Sequence, residues 1–394
     1  MKKSSVPDYY ENGFLIGKRI ITMLSRRKFL QLVTSLGVSA FLPAVNAKAS
    51  DKLNYDKWFM PGEDEPHKRT WMSFVASYDI WEKRQVPEVQ RNLANIAKTI
   101  AKYEPVSMLV RKQDYGIVVR LIGGLNNHRY PIELFEFNMN DLWMRDTGPA
   151  FVVNIKGQKS AVNFNFNGWG EDQDYDLDAK VADFVAKKAG VKTIHTNLVL
   201  EGGCFEIDGH GTAIMTESCI LNDNRNPNKN QKEVEYELKK LLGLDKIIWL
   251  KGIKGKDITD GHTDFYARFV KPGLVIVSRD IDKSSYDYKI TRKNIDILQS
   301  STDAGGNPLN IIILDTPWDI NTIYGSEDFA AGYVGYYVCN GAIIMQKFGD
   351  KKADHTAKLK LSKAFPNHRI EQIAIDGIAS GGGSIHCATQ QEPI

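Results

Sequence analysis

The chain has 394 residues, of which 42% are hydrophobic and 25% are charged, and its formal net charge is +3 at pH 7. The apolar content is that of a globular protein. Residues 1–49 contain eight basic and two acidic residues, a net +6, which leaves a net −3 for residues 50–394. Because the excess of positive charge belongs to the first 49 residues, nothing in the composition indicates a nucleic-acid partner.

The first predicted element is an export signal. A basic segment at 25–30 (SRRKFL) precedes a moderately apolar run at 32–45, and a small-x-small sequence ends at Ala49. This order is typical of a cleaved signal peptide, and the paired arginines indicate the twin-arginine route. The apolar run is short for a membrane span, and a retained amphipathic anchor is the alternative. We expect a leader at 1–49, cleavage near Ala49, the twin-arginine translocase as an export partner and a periplasmic location.

Residues 50–394 are predicted to form a single catalytic domain that contains many more strands than helices. Five segments have helical periodicity, at 87–103, 176–189, 231–242, 288–300 and 353–364. Short β-like runs occur at 106–110, 132–137, 150–154, 161–166, 212–215, 246–250, 265–270, 274–278, 310–314, 333–339, 342–346 and 370–375. A simple alternation of strand and helix would give similar numbers of both, so a repeated unit of several strands and one helix fits better.

The four cysteines do not form a recognisable metal or disulfide motif. They stand at 204, 219, 339 and 387, without a Cys-x-x-Cys pair. Cys204, Cys219 and Cys339 are predicted to be small buried residues, although a disulfide among them stays open. Cys387 differs because it follows a run of three glycines, Gly381–Gly383.

The glycine run and Cys387 near the C-terminus form the most informative segment. Three consecutive glycines are expected where the backbone approaches another group closely or adopts a positive φ. A cysteine just after such a turn is predicted to lie on an accessible loop, where it could act as a nucleophile. The alternative is a flexible C-terminal tail, although the strand-like run at 370–375 should anchor the segment.

Other chemically active groups stand at the edges of predicted strands. Asp146 precedes the run at 150–154, Glu201 precedes Gly202, and His262 and Asp264 open the run at 265–270. Functional groups are often held in this way on a rigid scaffold. Each also has a structural explanation, since Asp before Thr-Gly-Pro forms turns and a single His is commonly structural. His262 and Asp264 are two residues apart, so in an extended strand both face the same side.

A thiol, an imidazole and three carboxylates together indicate a cationic substrate. A guanidinium group stays protonated at any working pH and presents a planar set of donors that two carboxylates can hold. A thiolate beside it could attack the central carbon while a histidine transfers protons. A cysteine protease is a weaker interpretation, because its transition state is an oxyanion that needs donors rather than acids.

The chain resembles the agmatine deiminase and bacterial-type (Porphyromonas-type) peptidylarginine deiminase family, within the guanidine-modifying superfamily. The resemblance covers nearly all of residues 50–394. It rests on motifs in the same order: MPGEDEPH at 60–67, WMRDTGP at 143–149, EGG at 201–203, NRNP at 224–227, GHTD at 261–264 and GGGSIHC at 381–387.

The resemblance implies a fold and a set of roles. The fold is the pentein fold, an α/β pseudo-fivefold propeller of ββαβ-like units. Cys387 resembles the nucleophile, Asp146 and Asp264 the pair that holds the guanidinium nitrogens, and His262 the acid and base. Glu201 resembles the acid that holds His262 or a guanidinium nitrogen. The resemblance implies a covalent thiouronium intermediate, a ureido product and no need for a metal or cofactor.

The motif around Asp146 supplies two further candidate substrate-binding residues, Trp143 and Arg145, with Trp143 as a wall near the alkyl chain. The sequence departs from the family pattern at Asp64, Val75 and Ser384. These departures are expected to alter the part of the pocket that contacts the far end of the substrate.

Three functions follow from this resemblance. The first is conversion of agmatine and water to N-carbamoylputrescine and ammonia. The second is deimination of free or peptidyl arginine to citrulline, which the periplasmic location favours. Residues 151–170 contain no arginine and only Lys156 and Lys159 as cations, which favours a substrate with an amine end. The third is a non-catalytic protein that binds polyamines or guanidines. The sequence does not fix the oligomeric state, which could be a homo-oligomer.

Overall fold

The computed structural model describes residues 57–320 and 328–394 of the chain. The leader predicted at 1–49 lies outside these residues. The described residues belong to one compact unit, Leu53–Ile394. None of the helices in this part of the chain combines the length and the apolar character that a membrane crossing requires.

Seventeen strands occur in the described residues. They are β1 (Trp58–Phe59), β2 (His67–Phe74), β3 (Val106–Val110), β4 (Ile132–Glu136), β5 (Ala150–Asn154), β6 (Lys159–Asn163), β7 (Lys192–His195), β8 (Phe205–Ile207), β9 (Thr212–Thr216), β10 (Lys246–Leu250), β11 (Ala267–Lys271), β12 (Leu274–Arg279), β13 (Asn310–Asp315), β14 (Tyr337–Cys339), β15 (Ala342–Lys347), β16 (Arg369–Ala374) and β17 (Thr389–Pro393).

The helices of the same residues are of two sizes. The longer ones are α1 (Val86–Ile100), α2 (Tyr115–Ile122), α5 (Val181–Ala189), α7 (Gln231–Leu242), α8 (Asp287–Gln299) and α9 (Lys351–Ala364), and the single turns are α3 (Met144–Thr147), α4 (Gly168–Glu171), α6 (Glu217–Ile220) and α10 (Asp376–Ala379).

The strands form five separate sheets, which repeat one connection pattern. The orders are β1-β5-β6-β7, β10-β9-β8, β11-β12-β13, β14-β15-β16 and β17-β2-β3-β4. Each sheet contains an antiparallel pair, and a longer helix then leads to a strand parallel to the second member of the pair. In four sheets the antiparallel pair is consecutive in sequence. In the fifth, the C-terminal strand β17 pairs with β2.

Local sequence explains why these elements form. Helix α7 begins at a capping box in which the Asn230 side chain accepts from the backbone of Glu233 and the Glu233 side chain accepts from the backbone of Asn230. It ends at Gly243, whose φ of 70° is the left-handed conformation that favours glycine. One face of the helix is buried, as expected for an amphipathic helix over a sheet. Strand β3 is buried at all five positions, as expected for a central parallel strand.

The predicted helices and the repeated unit are confirmed. The five predicted helical segments correspond to α1, α5, α7, α8 and α9, which are the helices that connect the parallel strands. Helix α2 and the strands β1, β2, β7, β8 and β17 were not predicted. The strand predicted at 333–339 is shorter, and begins at Tyr337.

Candidate active site

The predicted site residues all lie just before the first strand of an antiparallel pair. Asp146 is in α3, immediately before β5, and Glu201 is four residues before the start of β8. His262 and Asp264 are at the 3-10 helix before β11, and Cys387 is two residues before β17. Four of the five repeated units therefore contribute a group from an equivalent position, which explains how residues so distant in sequence come together.

The three glycines allow the C-terminal segment to pack against two indole rings. A Cβ atom at Gly381 would collide with the ring of Trp81, and one at Gly383 would collide with the ring of Trp143. Gly382 has a φ of 85°, in the left-handed region. Both predicted reasons for the glycine run, close approach and positive φ, therefore apply here.

Asp141 holds these two tryptophans in place. Its carboxylate accepts hydrogen bonds from Nε1 of Trp81 and from Nε1 of Trp143, both at 2.9 Å. Burial raises the pKa of Asp141, against the effect of these hydrogen bonds. Trp143, predicted as a wall of the pocket, and Trp81, which no motif indicated, both line the cavity described below.

Cys387 is buried, so the predicted accessible loop is wrong. Only 5% of the residue is exposed. Its Sγ atom lies 3.3 Å from Oγ of Ser384 and 3.8 Å from Oδ2 of Asp264. Burial, with the negative charges of Asp264 and Asp146, raises the pKa of the thiol well above its usual value. Without a bound cation the Cys387 side chain is therefore a neutral thiol.

His262 lies between two carboxylates. Its Nε2 atom is 3.1 Å from Oε2 of Glu201, and its Nδ1 atom is 3.8 Å from Oδ1 of Asp146. Burial by itself disfavours the imidazolium, but the charge of Asp146 and hydrogen bonds with Cys219 and Glu201 together hold the pKa of His262 well above its usual value. His262 is therefore a protonated acid near neutral pH in the free protein.

Glu201 is held ionised by a buried arginine. Nε of Arg225 donates to both carboxylate oxygens of Glu201, each at 2.9 Å. Burial alone would raise the pKa of Glu201, but the guanidinium and the hydrogen bond from His262 lower it to about 2. Arg225 belongs to the NRNP motif, which predicted no role for it, and in the structure it is the counter-ion of the carboxylate that contacts His262.

Asp146 is fixed by hydrogen bonds from outside its own motif. Its Oδ2 atom accepts from Nε1 of Trp169 at 3.0 Å, and its Oδ1 atom accepts from the backbone of Gly203 at 3.2 Å. Trp169 has a φ of 56°, a left-handed conformation that is unusual for a bulky residue and is found mainly at functional sites. Burial, partly offset by His262, raises the pKa of Asp146 to about 6.

Asp264 is oriented by His386, which the sequence analysis did not single out. Nδ1 of His386 lies 2.7 Å from Oδ2 of Asp264, and Nε2 lies 2.9 Å from Oε2 of Glu63. Burial would raise the pKa of Asp264, but the hydrogen bond and charge of His386 lower it. Asp264 is therefore ionised beside Cys387, and His386 is a positioning residue.

Arg145 does not face the cavity, so its predicted contact with substrate is wrong. Its guanidinium is buried and donates to Oε2 of Glu63 at 3.0 Å and to Oε1 of Gln391 at 2.8 Å. Its backbone N–H donates to the carbonyl of Cys387 at 3.0 Å. Arg145 therefore connects the Asp146 motif to the C-terminal segment on the side away from the cavity.

A cavity of about 300 Å³ joins these groups to the surface. Its lining includes Trp143, Asp146, His262 and Cys387, and Glu82 and Asp328 are acids of the same lining that are exposed to solvent. Among the described residues, the lining contains no Lys or Arg. The cavity therefore suits a cation.

Two buried atoms close to the lining of this cavity have no hydrogen-bond partner within the described part of the chain. They are Nδ1 of His262, a residue of the lining, and Oδ1 of Asp264, whose other carboxylate oxygen lies 3.8 Å from Sγ of Cys387. Buried polar atoms are nearly always hydrogen-bonded, so these two atoms are available to bond a water molecule or a ligand. A guanidinium group would donate to Asp264, and a leaving nitrogen could accept from His262.

The three departures from the family pattern do not line this cavity. Val75 is buried in a hydrophobic cluster, and Asp64 lines a different surface pocket with Cys339. Ser384 contacts the Cys387 thiol but is not part of the lining. The expectation that these positions alter the far end of the substrate pocket is therefore wrong.

Comparison with known proteins agrees with this geometry. A family described as Porphyromonas-type peptidyl-arginine deiminase matches residues 59–393. A protein of Legionella pneumophila (strain Paris) is 37% identical over 338 residues, 85% of this chain and 95% of its own. The agmatine deiminase of Medicago truncatula is 35% identical over 370 residues, 85% of this chain and 96% of its own. The solved agmatine deiminase of Enterococcus faecalis has a TM-score of 0.79 and 32% identity, covering 86% of this chain and 96% of its own.

These likenesses define the chain as an enzyme, a hydrolase of the C–N bonds of a guanidino group. The chain belongs to the Porphyromonas-type peptidyl-arginine deiminase family, as the motifs predicted.

Proposed function

We propose that the protein hydrolyses agmatine to N-carbamoylputrescine and ammonia through a covalent intermediate on Cys387. The observation that carries this proposal is the buried thiol at the base of an acid-lined cavity, beside one unpaired histidine nitrogen and one unpaired carboxylate oxygen. The names of the relatives from Medicago truncatula and Enterococcus faecalis add support.

In the first step, Asp146 and Asp264 would hold the guanidinium nitrogens, and the Cys387 thiol would lose its proton to solvent as the cation binds. The thiolate would then attack the central carbon. His262 would donate a proton to one nitrogen of the tetrahedral adduct. The C–N bond would then break and release ammonia, leaving a thiouronium group on sulfur. A high pKa of His262 suits this step, because the acid must be protonated at the start.

In the second step, neutral His262 would take a proton from water as the oxygen adds to the thiouronium carbon. The C–S bond would then break, and the proton of the new hydroxyl group would pass to the departing sulfur, which leaves the ureido product and restores the neutral thiol. Glu201 would stabilise the imidazolium formed in this step, because Arg225 keeps the Glu201 carboxylate ionised. The histidine ends protonated, ready for another cycle.

Thiol reactivity is expected to depend on the charge of the reagent. Since burial and two carboxylates raise the pKa of Cys387, a neutral reagent meets a protonated thiol near neutral pH. A cation offsets Asp146 and Asp264 and lowers that pKa. We therefore expect 2-chloroacetamidine to alkylate Cys387 at least about tenfold faster than 2-chloroacetamide, relative to their rates with free cysteine.

The pH dependence gives the control for this prediction. Alkylation by the neutral reagent should increase as pH rises toward the raised pKa, and alkylation by the cation should begin at lower pH. Rates followed by mass spectrometry would provide both profiles. A full rate with the neutral reagent near neutral pH would contradict substrate-assisted ionisation.

The acids at the cavity mouth favour an amine end over a carboxylate end. Agmatine would bring an ammonium group toward Asp328 and toward Glu82, whose carboxylate also accepts from exposed Arg84 at 2.6 Å, whereas arginine would also bring a carboxylate. Like charges at the mouth cost binding energy, so we expect kcat/KM for agmatine to exceed that for arginine by at least about tenfold. The assay measures ureido product from agmatine, free arginine and an arginyl peptide.

Replacement of each acid at the cavity mouth by its neutral amide tests whether its charge sets the preference for agmatine. Glu82→Gln and Asp328→Asn should each narrow the preference for agmatine over arginine. Preference for the arginyl peptide by the wild-type protein would instead favour the second candidate function, peptidylarginine deimination, which the family description supports. Turnover of none of the three substrates by the reduced protein would refute the deiminase proposal.

We also propose that the five sheets are the blades of a pseudo-fivefold propeller around this site. Support comes from the repeated connection pattern and from the equivalent positions of Asp146, Glu201, His262 and Cys387. A crystal structure without five blades around the cavity would refute it.

Residues 1–49 are proposed to direct export through the twin-arginine translocase, with residues 50–394 as the catalytic domain in the periplasm. We expect Arg26→Lys with Arg27→Lys to leave an uncleaved cytoplasmic precursor, because the paired arginines are the recognised feature. Cell fractionation and N-terminal sequencing measure this, and Arg19→Lys is the control. Unchanged export of the double variant would contradict the proposal.

A further inference from the structure

We propose that Glu201, Cys204, Cys219 and His262 form a binding site for Zn²⁺ behind the substrate cavity, and that Zn²⁺ bound there inhibits the enzyme. The cysteine spacing does not resemble a zinc motif, so sequence alone did not indicate this site. The fold brings the four residues together.

The four side chains converge closely. Their donor atoms all lie within 4.8 Å of one another, and all four residues are buried. The two Sγ atoms are 2.7 Å apart, and Sγ of Cys204 is 2.9 Å from Oε2 of Glu201. Oε2 of Glu201 is also 3.6 Å from Sγ of Cys219 and 3.1 Å from Nε2 of His262.

A tetrahedral zinc ion fits this group with small side-chain movements. Zinc–sulfur bonds of about 2.3 Å and zinc–nitrogen or zinc–oxygen bonds of about 2.0–2.1 Å place the ligand atoms roughly 3.3–3.8 Å from one another. The Cys204 and Cys219 sulfurs would need to separate by about 1 Å, which a χ1 rotation of either thiol can supply. A site of two thiolates, an imidazole and a carboxylate binds zinc in preference to Mg²⁺ or Ca²⁺.

Zinc would offset most of the negative charge of its ligands. Both thiols and Nε2 of His262 would lose a proton to solvent on binding, so the ligands would carry three negative charges. The ion supplies two positive charges, and the guanidinium of Arg225, which donates to Glu201 and also to Asp260, offsets part of the remaining charge. A buried ion surrounded by opposite charges avoids the desolvation cost of an unpaired charge.

The position of His262 explains the inhibition, which rests on the proposed deimination. Nε2 of His262 faces Glu201, and His262 also lines the cavity, which provides an entry path for the ion. With Nε2 bound to zinc, the ring cannot carry a second proton. His262 could then neither donate a proton to the leaving nitrogen nor alternate between acid and base.

Cobalt provides a direct test of the site, because Co²⁺ takes zinc positions and its spectrum reports thiolate ligands. Reduced, metal-free protein is titrated with Co²⁺ and then with Zn²⁺. We expect a thiolate-to-cobalt charge-transfer band and tetrahedral visible bands that saturate at one ion per chain and disappear with Zn²⁺. Cys204→Ser and Cys219→Ser should each weaken binding at least about 100-fold.

Two other cysteines provide matched controls. Cys339 is buried in β14, and Cys339→Ser should keep the cobalt spectrum and the inhibition by Zn²⁺. Cys387→Ala should also keep the spectrum although it removes the proposed nucleophile. Thermal unfolding of each variant shows that it is folded before the titration.

Several outcomes would overturn the proposal. If Cys387→Ala lost the cobalt band and Cys204→Ser kept it, the ion would be bound by Cys387 and not by Cys204. No band in the reduced wild-type protein would refute the site, and recovery of two further thiols when the protein as purified is reduced would identify Cys204 and Cys219 as a disulfide. Zinc binding without loss of turnover would refute the inhibition. An inactive protein that binds Co²⁺ would refute the deiminase function and still support the site.

Discussion

Replacement of Cys387 by alanine is expected to abolish ureido product while leaving agmatine binding nearly unchanged. The thiol is the group at the base of the cavity that can form a covalent bond with the guanidinium carbon, and loss of a nucleophile typically lowers kcat by about 10⁴–10⁶-fold. Binding should survive because the carboxylates proposed to hold the cation, Asp146 and Asp264, are retained. Product assays give the first quantity, and calorimetry with agmatine gives the second.

The variant even has a reason to bind agmatine slightly more tightly. In the proposed mechanism the Cys387 thiol loses its proton to solvent when agmatine binds, and this ionisation costs free energy because the pKa of the thiol is raised. Alanine removes that cost. Cys339→Ala is the control, because Cys339 is buried in β14 and its Sγ contacts the backbone of Ala342. Turnover retained in Cys387→Ala would move the nucleophile to another residue, and lost binding with a normal unfolding temperature would show that the thiol mainly positions substrate.

Regular elements could be predicted because their signals are local. The strands Val106–Val110, Ala150–Asn154 and Lys246–Leu250 have the predicted bounds, and each is an apolar run between turn residues. The five helices were identified by their periodicity, which arises because each covers one sheet face. Helix Tyr115–Ile122 was missed, because eight residues that are mostly apolar do not show a clear helical period.

The residues of the site could be predicted one by one from their motifs, but the distant residues that contact and orient them could not. The glycine run indicated a close contact, yet nothing near Gly381 or Gly383 in sequence identifies Trp81 and Trp143. Arg145 was assigned to substrate because it is next to Asp146. In the one-turn helix α3, neighbouring side chains point in different directions, and Arg145 contacts Glu63 instead.

Strand β17 shows the same limit most clearly. Its sequence, TQQEP, is polar and contains proline, so no periodic apolar pattern predicts a strand. All five residues are nevertheless buried, and β17 pairs with β2. Its polar side chains are satisfied by groups from distant segments, which include Trp71, Arg145 and Lys159. Buried polar strands of this kind depend on tertiary partners that local sequence does not contain.

Removal of residues 389–394, with Cys387 retained, is expected to destabilise the protein by at least about 3 kcal/mol and to abolish turnover. The truncation leaves the buried strand β2 as an unpaired edge. It also removes Glu392, which accepts from Nε1 of Trp71 at 2.9 Å and from Nζ of Lys159 at 2.7 Å. Each buried donor left without its acceptor costs about 1–3 kcal/mol, and more when it is charged.

The loss of turnover should exceed what unfolding alone explains. Gln391 accepts from Arg145, and Arg145 in turn donates its backbone N–H to the carbonyl of Cys387. Without Gln391 this connection loosens, so the thiol loses its position relative to Asp264 even in molecules that remain folded. Urea unfolding and kcat at a temperature where the truncated chain is folded separate the two effects.

Removal of Ile394 alone, which is 78% exposed, should change stability by less than about 0.5 kcal/mol. Normal stability and kcat after removal of 389–394 would show that β17 neither completes the sheet nor holds the thiol in place, and a stable but inactive protein would assign the strand to positioning alone.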